Sequence, residues 1–152
     1  MPKLVAEIFL ILGVIIAGVM LWQLIKGMKS KNWPTAPGQV VASQVSVNVS
    51  YDDDGDRSTT YGADIMYRYT VDGYEYSGNR RTFTDYKSSN RNRAEKIVAQ
   101  YAPGTAVQAF YKPDDPQDSV LEPGTNAVSF LLLLLPLIFV GIGAAGLLGL
   151  FG

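Results

Sequence analysis

Apolar residues gather in two unbroken runs near the ends of this chain and alternate with polar ones between them. Residues 127–152 read AVSFLLLLLPLIFVGIGAAGLLGLFG and carry no charge. About 20 apolar residues cross the ~30 Å hydrocarbon core of a bilayer as a helix, so this run predicts a spanning helix. Residues 8–25, also uncharged, predict a second. Two spans bring the chain back to one side of the membrane, and what lies between them is a single extramembrane domain.

Within that domain the period changes twice. From 39 to 49, Val41, Val45, Val47 and Val49 share a face with Ser43, while Gln44, Ser46 and Asn48 face the other way, the pattern of a half-buried strand. Asp52-Asp53-Asp54-Gly55-Asp56 then marks a loop. From 61 to 71, Ala63, Ile65, Tyr67, Tyr69 and Val71 line one face, with Asp64, Met66, Arg68 and Thr70 opposite. Asp72-Gly73 predicts a two-residue hairpin turn, and the returning strand runs from Tyr74 and Tyr76 to about Phe83, with a bend at Gly78. Next, Ala94, Ile97, Val98 and Tyr101 recur at helical spacing behind a cap at Ser88 or Ser89, and Pro103-Gly104 ends the helix. Residues 105–111 predict a fourth strand and 118–122 a short fifth, before Pro123-Gly124 leads to the second span.

The expected fold class is therefore α+β. Two transmembrane helices flank a small antiparallel sheet of four or five strands, or a partly open barrel, with one helix, in the order β-β-β-α-β-β. That order resembles the oligonucleotide/oligosaccharide-binding (OB) barrel. The expected divisions are 1–31, a helix with a basic flank; 32–126, the β-rich module; and 127–152, the second helix. Trp33-Pro34-Thr35-Ala36-Pro37-Gly38 reads as a stiff exit from the membrane, with Trp33 as an interfacial anchor.

Composition narrows the chemistry. The chain has no cysteine and no histidine, which excludes disulfides, thiolate nucleophiles, Cys/His zinc sites and imidazole general bases. A cleaved signal peptide competes with a retained anchor at the N-terminus. The length of the apolar run, Glu7 at its start and the lack of a small-x-small site favour the anchor. Lys26, Lys29 and Lys31 follow the first span and Lys112 precedes the second, against Lys3 on the other side, so the positive-inside bias places the module in the cytoplasm. Residues 32–126 are net acidic, which argues against nucleic acid as a partner.

Several groups are candidates for function. Gly13 with Ala17, and Gly141, Ala145 and Gly149, form small-residue stripes where helices approach closely in lipid; the partner is the other helix, another copy or another protein. Tyr67, Tyr69, Tyr74 and Tyr76 flank the tight turn and form either cross-strand packing or an exposed platform for a ligand or partner. Arg80, Arg81, Arg91 and Arg93, with Lys87 and Lys96, are opposed locally only by Asp85 and Glu95. They read as a solvated face or as a contact for lipid headgroups or protein. Aligning Gly55 with the glycine of an EF-hand loop puts Ser50 first and Tyr61 at the bidentate Glu position, so that motif fails. No nucleophile elbow, phosphate loop or paired-carboxylate spacing stands out. The expectation is a non-enzymatic protein with no cofactor.

Trp33 with Gly38, Tyr67-x-Tyr69-x-Val71-x-Gly73-x-x-Tyr76-x-Gly78, Tyr101-x-x-Gly104-x-x-Val107, and Phe110-Tyr111-x-Pro113-x-x-Pro116-x-x-Ser119-x-Leu121-x-Pro123-Gly124 together form a pattern. It resembles the bacterial membrane family catalogued as domain of unknown function 3592. The resemblance covers nearly the whole chain and implies two membrane helices around a β-rich module in a bacterial inner membrane, with no catalytic residue to carry over. Lys112 stands where the family pattern implies an acidic residue, which weakens any shared metal site there. The expected role is binding or scaffolding among membrane lipids, by self-assembly as a homo-oligomer or with another membrane protein. A membrane-tethered sensor of an ion or small ligand is the alternative, and immunity against a membrane-acting toxin a remote one.

Overall fold

The computed structural model describes residues 2–83, 85–125 and 127–149. The last three residues of the expected second span, and Asn126 at the module boundary, lie outside the described residues. The elements are α1 (Lys3–Ser30), β1 (Thr35–Tyr51), β2 (Arg57–Val71), β3 (Tyr74–Gly78), α2 (Arg91–Gln100), β4 (Ala106–Lys112), β5 (Asp115–Val120) and α3 (Ala127–Leu147). This is the expected order. The chain divides into two compact units, one of residues 1–28 with 124–152 and one of Lys29–Pro123.

The first unit is an antiparallel pair of helices, α1 against α3. Both are long and apolar enough to cross a membrane, and most of each is exposed. Leu131 is 65% exposed and Ile15 58%, whereas a core helix of a water-soluble protein that is apolar all round would be buried. The helices meet along Ala6, Phe9, Leu10 and Gly13, spaced by three and four, and along Pro136, Phe139, Val140 and Gly143 with the same spacing. A Cβ on Gly13 would lie 2.8 Å from Val140 Cγ2, and one on Gly143 would lie 2.7 Å from the Leu10 backbone nitrogen. The rings of Phe9 and Phe139 stack with centroids 5.7 Å apart. Pro136, buried at this contact, lies inside α3 without ending it.

The second unit is a five-stranded sheet in the order β3-β2-β1-β4-β5, antiparallel throughout. Its core is Ala36, Val40, Ile65, Tyr67, Tyr69, Val71, Ala109 and Leu121, with Ile97 and Tyr101 packed against it. The inward face of β2 is the one its alternation predicts. In β1 the outcome differs. Val40 pairs with Tyr67 and Ala42 with Met66, so Val41 is the extra residue of a β-bulge. One inserted residue shifts the side-chain parity, which buries Val40 and leaves Val41 outside. Val47 and Val49, expected to be half-buried, are 51% and 43% exposed. β4 pairs with β1 only from Thr35 to Gln39, and β3 pairs with β2 only from Tyr67 onward. Among the described residues the rest of the β1–β2 hairpin is a two-stranded ribbon with no flanking strand.

Three boundaries also move. β1 starts at Thr35, so Pro37, expected in the membrane exit, lies inside a strand. It is tolerated because the β1–β2 register begins only at Gly38. Trp33 packs edge-on against Phe83 with centroids 5.8 Å apart, inside the module. Asn90, not Ser88 or Ser89, caps α2, its side chain accepting from the Arg93 N–H at 3.3 Å; Ser88 instead exchanges backbone hydrogen bonds with Tyr61. The Asp72-Gly73 turn is as expected, with φ of 51° and 84°, the two positive values a type I′ turn needs.

β3 ends at Gly78 rather than near Phe83, and there the chain passes so close to Tyr67 that a Cβ would run into its ring. Among the described residues no ladder joins the edges β3 and β5, so the sheet is open, as the expected small antiparallel sheet of four or five strands allows. Side chains cross the seam instead, with Gln117 Nε2 donating to the Ser77 carbonyl at 2.7 Å.

Candidate functional site

Alternation along β2 aims Tyr67 and Tyr69 inward, and their hydroxyls reach the end of the core at β5. Tyr67 Oη donates to the Arg80 carbonyl at 3.1 Å and lies 2.9 Å from Ser119 Oγ. Tyr69 Oη donates to the Pro116 carbonyl at 2.5 Å. Tyr76 stacks on Tyr69 with centroids 5.7 Å apart. Tyr74, beside the turn, is 72% exposed. The four tyrosines therefore do not form one open platform; two are core, one is half-buried and one faces solvent.

Burial pushes the Tyr67 phenol up from its usual 10.0 to about 12, with the Ser119 hydrogen bond pulling the other way. Tyr101 is raised too, first by burial and then by donating to Glu122 Oε1 at 2.5 Å. A phenol that stays protonated in the fold contributes stability that is complete below its unfolded value near 10 and is lost as pH rises through its folded value. For Tyr67 that contribution is on the order of 2 kcal/mol. We expect the module to weaken between about pH 10 and 12, with Tyr67 and Tyr101 ionising only as the fold opens. Near-ultraviolet phenolate absorbance followed alongside circular dichroism checks this. Titration of all nine tyrosines before any change in dichroism would refute it.

The arginines are paired, Arg80 and Arg81 by residues distant in sequence and Arg91 and Arg93 by near ones. Arg80 Nη1 lies 2.6 Å from Asp118 Oδ1, and Arg81 spans Asp85 at 2.9 Å and Glu122 at 2.8 Å. Arg91 meets Glu95 at 2.7 Å, and Arg93 lies 3.5 Å from Asp85 with its guanidinium over the Tyr86 ring. The Arg80 and Arg81 carbonyls also accept from the Leu121 and Glu122 N–H groups. This segment is pinned to the stretch after β5, and the candidate lipid-contact arginines are largely neutralised. Nothing near Arg80 in the sequence announces Asp118 or Glu122, because the pairing needs the seam between β3 and β5.

Residues 79–82 and 85–87 line an open cleft of about 290 Å³ together with residues of β1 and β2. Its wall includes Ser46, Asp64, Asn79, Thr82 and Lys87, of which only Lys87 is a candidate from sequence. Among the described residues the buried Ser46 hydroxyl has no hydrogen-bond partner. A lone serine in an alternating strand carries no such signal. In the acidic loop, Asp52 Oδ1 accepts from the Asp56 N–H at 2.7 Å and closes the turn. Among the described residues, no group of three His, Cys, Asp or Glu side chains is placed to hold a metal ion.

In the helical unit, Gly13 is consumed by the α1–α3 contact, and Ala17 lies on the same stripe as Gly13, Leu24 and Gly27. Gly141 is not part of that contact; a Cβ there would meet nothing within 4 Å. Two residues along a helix turn it by about 200°, so Gly141 and Gly143 face opposite ways. Gly149 lies past the end of α3 at φ 72°, off the stripe the sequence suggested.

Residues 36–126, more than half of the chain, match the model of a family described as "Domain of unknown function (DUF3592)". No curated protein matches the chain.

Proposed function

We propose that this chain, which belongs to the DUF3592 family, is a two-span membrane protein that presents its β-rich module as a non-enzymatic interaction or scaffolding unit. It acts by self-assembly or as an accessory subunit of a larger membrane complex. The observation that carries this reading is the Gly141–Ala145 side of α3. The pairing of α1 with α3 uses Gly13 and Gly143 and leaves Gly141 open. In lipid no hydrophobic force drives helices together, and small residues that allow backbones to approach are a main means of association. Short tethers support the same reading: four residues separate α1 from β1 and six separate β5 from α3, so the module cannot move far from the bilayer. Lys26, Lys29 and Lys31 favour the cytoplasmic side of a bacterial inner membrane.

Blue-native electrophoresis in mild detergent tests it. The wild type is expected to run above monomer mass or with a partner, and Gly141→Leu with Ala145→Leu to return it to monomer. A strictly monomeric wild type with no co-purifying protein would sink the reading.

A further inference from the structure

The cleft lined by residues 79–82 and 85–87 holds polar groups that the fold leaves unused. Ser46, Gly62 and Asp64 lie on the sheet face opposite the Ile65–Tyr67–Tyr69 core, with Ser46 directly across from Gly62. A Cβ on Gly62 would stand 2.9 Å from Ser46 Oγ and 3.1 Å from Lys87 Cγ. The missing side chain is what lets the lysine stem lie over the serine hydroxyl. Arg80 and Arg81 also border the cleft but are held by Asp118, Asp85 and Glu122. Two opposite charges remain. Lys87 and Asp64 line the same cleft, and among the described residues neither has an ion pair, with each other or with any third group.

We propose that this cleft binds a small zwitterion, a molecule carrying an ammonium and a carboxylate within the dimensions of an amino acid. A lone anion would meet Asp64 and a lone cation would meet Lys87, and with the arginines neutralised nothing else breaks the tie. A dipolar ligand satisfies both charges at once. Its carboxylate lies toward Lys87, with the Ser46 hydroxyl, Asn79 and Thr82 as further donors, and its ammonium toward Asp64. The Ser46 hydroxyl becomes accessible when the lysine stem swings off it, a side-chain motion on the ps–ns scale. Such a hydroxyl, buried with no partner, needs an occupant to satisfy it. The volume suits a ligand of this size, at the lower end of the ~300–1,000 Å³ typical of small-molecule pockets. Both ends of the segment that lines the cleft are held, Arg80 by Tyr67 and Leu121 and Ser88 by its bridge to Tyr61.

Isothermal titration of the full-length protein in detergent is the test, with glycine, L-alanine and L-glutamine as zwitterions. Acetate, methylammonium and inorganic phosphate serve as probes that carry charge of one sign only. We expect saturable heat from at least one amino acid and none from acetate, methylammonium or phosphate at equal concentration. Lys87→Met and Asp64→Asn should each weaken that binding by about tenfold or more, while leaving the unliganded melting temperature unchanged, since neither residue has a partner to lose. Binding of acetate or phosphate as tight as that of the amino acid would overturn the proposal in favour of a plain anion site. Silence from every amino acid would overturn it in favour of bound water, and so would unaltered affinity in both variants. None of these outcomes bears on the oligomeric state, so this inference and the assembly reading fail separately.

Discussion

Tyr67→Ala is expected to lower the stability of the β-rich module by about 3–5 kcal/mol, the usual cost of emptying a large aromatic site in a core. Tyr67 is fully buried in the core, and its ring packs against Tyr69 with centroids 5.9 Å apart. Its hydroxyl also bonds to Ser119 and to the Arg80 carbonyl, so the truncation removes bonds across the seam between β3 and β5. A module of this size has about 5–15 kcal/mol in hand, and the variant should sit near the edge of folding. Tyr67→Phe keeps the ring and drops only the hydroxyl, for about 1–2 kcal/mol. Gly78→Ala attacks the same ring from β3 and should cost about 1–3 kcal/mol by overpacking. Urea midpoints of the full-length protein, read by near-ultraviolet circular dichroism, should fall in the order wild type, Tyr67→Phe, Tyr67→Ala. Equal losses for Phe and Ala would show that the hydroxyl, not the ring, carries the site.

Gly143→Leu is expected to push α1 and α3 apart. The new side chain would start within 3 Å of the Leu10 nitrogen and the Ala6 carbonyl oxygen, atoms of a helix backbone that cannot step aside. Overpacking of about 1–3 kcal/mol corresponds to a roughly 5–150-fold fall in the paired population. The chain has no cysteine, so Phe9→Cys with Phe139→Cys gives a clean reporter at a site where the rings now stack. Oxidative cross-linking of that pair should be efficient in the parent and strongly reduced once Gly143→Leu is added. Gly141→Leu should leave it unchanged, because among the described residues a Cβ there would meet nothing of α1 within 4 Å. A cross-link indifferent to Gly143→Leu, or equally lost with Gly141→Leu, would contradict the pairing.

The contrast between these two glycines shows what could be read in advance. They differ by two positions, hence by about 200° around the helix, and the period alone says that both cannot face α1. Which one does depends on where Phe139 and Val140 meet Phe9 and Gly13, and no local pattern encodes that. The arginines follow the same logic. Arg91 and Glu95 are four apart on α2, and their pairing is implicit in helical spacing. Arg80 with Asp118 and Arg81 with Glu122 join segments about forty residues apart.

By itself, then, the sequence determined the two apolar helices, the inward face of β2, the type I′ turn at Asp72-Gly73 and the β-β-β-α-β-β order. Each follows from a short-range rule: a hydrocarbon thickness, a period of 2 or 3.6, or a dihedral that glycine tolerates. Only the tertiary structure decided the bulge at Val41 that buries Val40, the exposure of Val47 and Val49, the neutralised arginines, the open Gly141 side of α3, and the cleft over Ser46. Those depend on which strand ends where and on what a distant segment lays across it, and side-chain burial is settled by such neighbours rather than by the residue's own period.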